Sequence, residues 1–128
     1  MPPTTITGVR TVAIAVSDQD RSLAFFVDTL GFKLRLDAPL SPTLRWVEVA
    51  PPGSATSIAL AQTDPAGTGA PGTDTGIRFA VPDAEAEHAT MSRLGLTVSD
   101  LIHWPGVPPM FTAEDPDGNR FYIVQEAV

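Results

Sequence analysis

The chain has 128 residues, 43% of them hydrophobic, and a net charge of −7. This suits one globular domain, and no apolar run approaches the ~20 residues needed to cross a bilayer. The acidic balance excludes a basic, phosphate-binding face and with it nucleic acid; the lack of cysteine removes disulfides, thiolate nucleophiles and thiolate metal ligands.

Residues 8–17 alternate Val12, Ile14 and Val16 with Thr11, Ala13 and Ala15, a period of two that predicts a strand. Ser17 or Asp18 supplies a helix cap. Leu23, Phe26, Val27 and Leu30 then fall at i, i+3, i+4 and i+7, the apolar stripe of a helix that Gly31 stops. Phe32, Leu34 and Leu36 alternate with Lys33, Arg35 and Asp37, and strands at 43–50 and 56–62 flank the Pro51-Pro52-Gly53 turn. Residues 63–75 hold almost nothing that can be buried and read as a linker. A second series follows: strand 76–82, a helix at 83–94 directing Ala84, His88, Met91 and Leu94 to the core, and strands 96–101, 109–114 and 119–126.

The two series are one pattern written twice. The run from Thr11 to Asp18 and on to Leu30-Gly31-Phe32 is answered by Gly76 to Asp83 and on to Leu94-Gly95-Leu96. The expected domain is therefore single, 1–128, with module one at 8–62, the linker, and module two at 76–126. Each module is βαβββ and the fold class is α+β. Val12, Ile14, Val16, Ile58, Leu60, Ile77, Phe79, Val81, Phe121 and Ile123 share the parity that must meet the helices. The opposite parity carries small and polar residues, among them Thr11, Ala59, Gly76, Arg78, Arg120 and Tyr122. On the inner face of a curved mixed sheet, with helices on its outer face, these leave a hollow fit for a ligand; otherwise that face meets solvent or a partner subunit.

The Val16-Ser17-Asp18 to Phe25-Phe26-Val27-Asp28-Thr29-Leu30-Gly31-Phe32 run and the Asp115-Pro-Asp-Gly-Asn119 turn resemble the vicinal-oxygen-chelate superfamily of glyoxalase I, extradiol dioxygenases and bleomycin-resistance proteins. The resemblance spans nearly the whole chain. It implies paired modules whose sheets form a cup, within a homodimer. It also implies four metal-ligand positions, which match Thr11, Ala59, Gly76 and Tyr122. None is a histidine or a carboxylate, and a divalent ion needs several such donors. No metal and no other cofactor is expected.

Remaining candidates are few. His88 reads as a structural residue of the second helix. His103 sits in the loop before strand 109–114, either a proton carrier or hydrogen-bond donor at the rim, or an ordinary loop histidine. Glu48 shares parity with Leu44 and Trp46; it is a general base if that face lines the cup, and otherwise a surface glutamate. Tyr122, His103 and Glu48 are thus the catalytic candidates. For ligand binding, Trp46, Trp104 and Phe111 offer flat apolar surfaces and Arg78 and Arg120 offer charge, while Trp46 and Phe111 serve equally as core or interface residues. Asp18 and Asp83 suit helix caps, and Asp115 and Asp117 suit the turn.

Two functions compete. The first is a metal-free binding protein of the bleomycin-resistance type, a homodimer that sequesters an aromatic or extended natural product. The second is a lyase, isomerase or dioxygenase-like enzyme of the same superfamily using unconventional groups. The N-terminal Met-Pro-Pro-Thr-Thr lacks the features of a secretory signal, so a cytoplasmic location is expected.

Overall fold

A computed structural model describes residues 4–62 and 70–126, which fall in two compact units, Met1–Gly69 and Ala70–Val128. In the first unit, strand β1 (Thr11–Val16) leads into helix α1 (Gln19–Leu23), whose cap is Asp18; its carboxylate accepts from the Arg21 N–H at 3.1 Å. The helix then widens. Ala24–Thr29 is π-helical, and the Leu30 N–H donates to the Phe25 carbonyl at 3.0 Å. The wider turn rotates the buried stripe. Phe25 and Phe26 are both buried, edge to face with centroids 5.1 Å apart, whereas Leu23, Val27 and Leu30 are half-buried. The regular helical spacing missed Phe25 for this reason. Gly31 ends the element at φ +80°, a conformation that a side chain resists.

Strands β2 (Lys33–Ser41), β3 (Leu44–Ala50) and β4 (Ser57–Gln62) complete a four-stranded sheet in the order β1-β4-β3-β2, with β1 and β4 parallel. Val12 lies beside Ile58 and Ile14 beside Leu60. Ile14, Val16, Val47, Val49, Ile58 and Leu60 are buried, as is Phe26. Removing this apolar surface from water, at about 25 cal/mol per Å², is the main stabilisation of the unit. Gln19 ties the helix to the strands by donating to the carbonyls of Arg45 and Leu60, both at 2.8 Å. The register also fixes the facing of residues 43–50. Glu48 pairs with Ala59, so Glu48 and Trp46 stand on the face of Thr11, Ser57 and Ala59. Between β2 and β3 the pairing slips at Arg35, with Leu34 opposite Val49 but Leu36 opposite Glu48. This bulge turns Leu36 onto the Glu48 face.

In the second unit, β5 (Asp74–Val81), β6 (Met110–Glu114) and β7 (Arg120–Gln125) form a sheet in the order β5-β7-β6, with helix α2 (Ala84–Arg93) between β5 and β6 in the chain. Asp83 caps α2 through the Ala86 N–H at 3.1 Å. Asp74 and Thr75, assigned to the linker by composition, already belong to β5; the linker residues 63–69 lie outside the described residues. Leu94 also departs from expectation. It falls just past the helix and is 55% exposed, while Ala84 and Met91 are buried.

The strand expected at 96–101 is reduced to one isolated bridge, Val98 to Ala113, with a second, Ile102 to Met110, just beyond it. The cause is local. His88 Nε2 donates to the Ser99 carbonyl at 2.8 Å, and the Thr112 N–H goes to Ser99 Oγ at 2.8 Å. A side-chain oxygen thus replaces a ladder carbonyl. The turn before β7 is locked by Asp115 and Asn119. Asp115 Oδ1 accepts from the Asp117 and Asn119 N–H groups at 2.9 and 2.8 Å, and the buried Asn119 Oδ1 accepts from the Gly72 N–H at 2.8 Å. Burial pushes the Asp115 carboxyl up, against these hydrogen bonds. Each unit therefore has a sheet with one helix-bearing face, an α+β arrangement consistent with a two-module βαβββ fold. Among the described residues no helix is long and apolar enough to cross a membrane.

Candidate functional site

The faces opposite the helices carry the chemistry, and they differ between the two units. On the second sheet, Arg78 pairs in register with Tyr122 and Ala80 with Val124. Gly76, Arg78, Ala80 and Arg120 are exposed, and Tyr122 and Val124 half-buried. The Arg78 guanidinium stacks over the Tyr122 ring at 4.3 Å, an attraction between the cation and the ring's negative face. Arg78 also donates to the Gly76 carbonyl at 2.7 Å, which holds the guanidinium in place.

Asp74 completes this group, although composition had placed it in the linker. The β5–β7 register slips between Asp74 and Arg78, and the bulge contains Gly76 at φ +69°. The Gly76 N–H donates to Asp74 Oδ1 at 3.0 Å. The other oxygen, Oδ2, accepts from the Tyr122 hydroxyl at 2.6 Å and lies 3.9 Å from Arg120 Nη1. Hydrogen bonding to Tyr122 and to the Gly76 amide, with Arg120 nearby, lowers the Asp74 pKa. The same bond raises that of Tyr122. Tyr122 is thereby a fixed hydrogen-bond donor rather than a proton carrier near neutral pH. A cavity of about 320 Å³ adjoins Arg78, lined by Phe79, Ala80, Pro108 and Val124 among others.

On the first sheet, Glu48 is 4% exposed, which corrects the reading of a surface glutamate. Its Oε1 accepts from the Ser57 hydroxyl at 2.6 Å, and its Oε2 accepts from the Trp46 indole N–H at 2.8 Å. Arg10 Nη2 approaches Oε2 at 3.5 Å. The hydrogen bonds from Ser57 and Trp46 lower the Glu48 pKa in spite of burial, with Arg10 and Arg35 adding to the effect. A carboxylate held ionised in this way is a weak base, which argues against the general-base role. Neither Ser57 nor Arg10 stood out in the sequence; Ser57 was one of several small residues, and no spacing rule pairs it with a glutamate nine positions away.

The other candidates divide. Phe111 lies beside Ile123 in the β6–β7 register, is fully buried, and meets His88 edge to face at 5.0 Å. It belongs to the helix-side core of the second unit and not to the face of Tyr122, which selects the core alternative for Phe111. His103 is exposed, and Trp104 is 64% exposed on the same loop. Neither is brought to the Tyr122 or Glu48 group by any contact described.

The four positions expected of a metal centre do not fit one. The Thr11 hydroxyl already donates to the Ser57 carbonyl at 3.2 Å. Ala59 is fully buried and has no donor atom. Gly76 has no side chain, and the Tyr122 hydroxyl is engaged by Asp74. Among the described residues no three histidine, aspartate or glutamate side chains gather as metal ligands would. What surrounds Tyr122 instead is two guanidinium groups, of Arg78 and Arg120, and the fixed carboxylate of Asp74.

Comparison with known proteins shows the family. The sequence model for the Glyoxalase/Bleomycin resistance protein/Dioxygenase superfamily matches residues 8–123. A crystal structure of a member of that superfamily from Sphaerobacter thermophilus is 35% identical, with a TM-score of 0.87, over 94% of this chain and 98% of that one. TnmS3, an antibiotic binding protein from a Streptomyces species, is 32% identical with a TM-score of 0.84, over 97% and 99% of the two chains. The uncharacterized protein YetH of Bacillus subtilis is 36% identical over 52 residues; these are 41% of this chain and 43% of that protein, less than half the length of either.

Proposed function

The chain belongs to the Glyoxalase/Bleomycin resistance protein/Dioxygenase superfamily, and we propose that it is a metal-independent binding protein that sequesters an aromatic or natural-product ligand. The observation that carries this reading is the exchange at Tyr122. Where a metal ligand would stand, the residue is a phenol locked to Asp74 beneath the Arg78 guanidinium. Such a surface suits stacking of a flat ligand and hydrogen bonding at its edge. The likeness to TnmS3, itself an antibiotic binding protein, supports the same class of ligand. Raised and lowered proton affinities at Tyr122 and Asp74 speak against acid–base chemistry at this group.

The reading includes a homodimer acting in the cytoplasm. The edge strand β2, which leaves Leu34 and Leu40 50% and 60% exposed, supports the dimer. Sedimentation of the purified protein tests the dimer. For the ligand, a panel of aromatic natural products titrated against intrinsic tryptophan emission is the direct test, with Trp46→Phe and Trp104→Phe variants assigning the responding ring. Saturable quenching by at least one planar compound, weakened in Arg78→Ala, is expected. No response across the panel would contradict the proposal.

A further inference from the structure

The first unit holds a second group that the Tyr122 surface does not explain. A cavity of about 240 Å³ is lined by Arg10, Arg35, Leu36, Glu48, Ala55 and Ser57. Drug-sized pockets run to about 300–1,000 Å³, so this one takes a head group rather than a whole ligand. Its floor includes a carboxylate that is almost fully buried. Leu36 and Arg35 reach the cavity because the β2 bulge at Arg35 re-aims the strand there.

Burying a charge is costly unless it is well partnered, and the three partners of Glu48 differ in kind. Ser57 and Trp46 are short, fixed donors. The third partner is not. Arg10 stands at 3.5 Å, beyond the roughly 2.7–2.9 Å of a strong charge-assisted hydrogen bond. Its side chain is 75% exposed, and an exposed ion pair of this kind contributes about 0–1 kcal/mol. The Arg10 backbone is anchored, since its carbonyl accepts from the Ser57 N–H at 3.0 Å, but nothing described holds the guanidinium except Glu48. Arg35 is engaged by the Ser54 carbonyl.

We propose that the Glu48 cavity of the first unit is a subsite for the cationic group of a small molecule, an amine, amidine or guanidine, which takes the place of Arg10 at the carboxylate. This rests on the reading of the protein as a small-molecule binder and concerns the first unit by itself. An anion would meet the buried Glu48 charge at the floor of the cavity. The chain's net charge of −7 also draws cations and repels anions at long range.

Three probes of one shape and different charge test this: benzamidine, benzamide and benzoate. Binding is read from the indole N–H resonance of Trp46, assigned with Trp46→Phe, because that N–H donates to the Glu48 carboxylate at 2.8 Å. Benzamidine is expected to shift the resonance and to bind about tenfold or more tightly than the other two. Glu48→Gln should level the three. Arg10→Ala, at an exposed side chain that does not threaten folding, should tighten benzamidine several-fold by removing its competitor. Equal binding of benzamide or benzoate, or a weaker benzamidine complex in Arg10→Ala, overturns the subsite. If natural products still quench tryptophan emission while benzamidine shows no preference, the subsite alone falls; if neither binds, the binding reading falls with it.

Discussion

The Tyr122 hydroxyl donates a 2.6 Å hydrogen bond to Asp74, a residue 48 positions earlier in the chain and outside the regular strand register. The contact exists because the Gly76 bulge carries Asp74 back over the end of β7. It converts a tyrosine at a metal-ligand position into an oriented donor with an ionised partner.

That pair has a defined pH dependence. Asp74 has a lowered pKa in the folded chain, so its contribution to stability is present above the ordinary carboxylate range and is lost as pH falls through the lowered value. Tyr122 is raised, so its contribution is present below about 10 and is lost as pH rises through the raised value. In Asp74→Asn, ultraviolet titration of the phenol should return it toward the ordinary value, and in Tyr122→Phe the Asp74 carboxyl should titrate higher by NMR. Unchanged titrations would show that the bond does not persist in solution.

Ser57→Ala tests the Glu48 group. Removing the hydroxyl deprives Oε1 of its 2.6 Å donor and is expected to cost about 1–3 kcal/mol by chemical denaturation, the range for an unsatisfied buried polar group. Since Glu48 is held low, its contribution is present above its ordinary pKa and fades as pH falls through the folded value. The loss should therefore be largest near neutral pH and shrink in acid.

Gly76→His restores a family-type ligand at one of the four positions. At φ +69° a side chain is strained, and a cost of about 1–2 kcal/mol is expected in thermal unfolding. Elemental analysis of the variant should still find no stoichiometric transition metal, because Thr11, Ala59 and Tyr122 supply no partner carboxylate or imidazole. Tight metal uptake by this single exchange would contradict the fit argument.

Much of the fold was legible because alternation and the repeated module are properties of the chain itself. The caps Asp18 and Asp83 were read from residue type alone, and both make the expected hydrogen bonds. What escaped depends on backbone irregularities that leave no periodic trace. The π-helical turn that buries Phe25, the Ser99 hydroxyl that interrupts a strand, and the bulges at Arg35 and Gly76 each shift a register by local hydrogen bonding. The site suffered most. Parity set Arg78 and Tyr122 on one face, as the register has them, but Asp74 lay in a Gly- and Thr-rich stretch that composition assigns to a linker. Phe111 was left open between the core and the ligand face, and only the β6–β7 register, which sets it beside Ile123, selects the core.

Chelation tests the central claim most directly. A planar natural product that quenches tryptophan emission is titrated against protein stripped with EDTA and against the same protein supplied with zinc, nickel, manganese or iron. Equal dissociation constants in all cases are expected, because the ligand meets Tyr122, Arg78 and apolar surface. Binding that vanishes on stripping and returns with one of these ions would contradict the account.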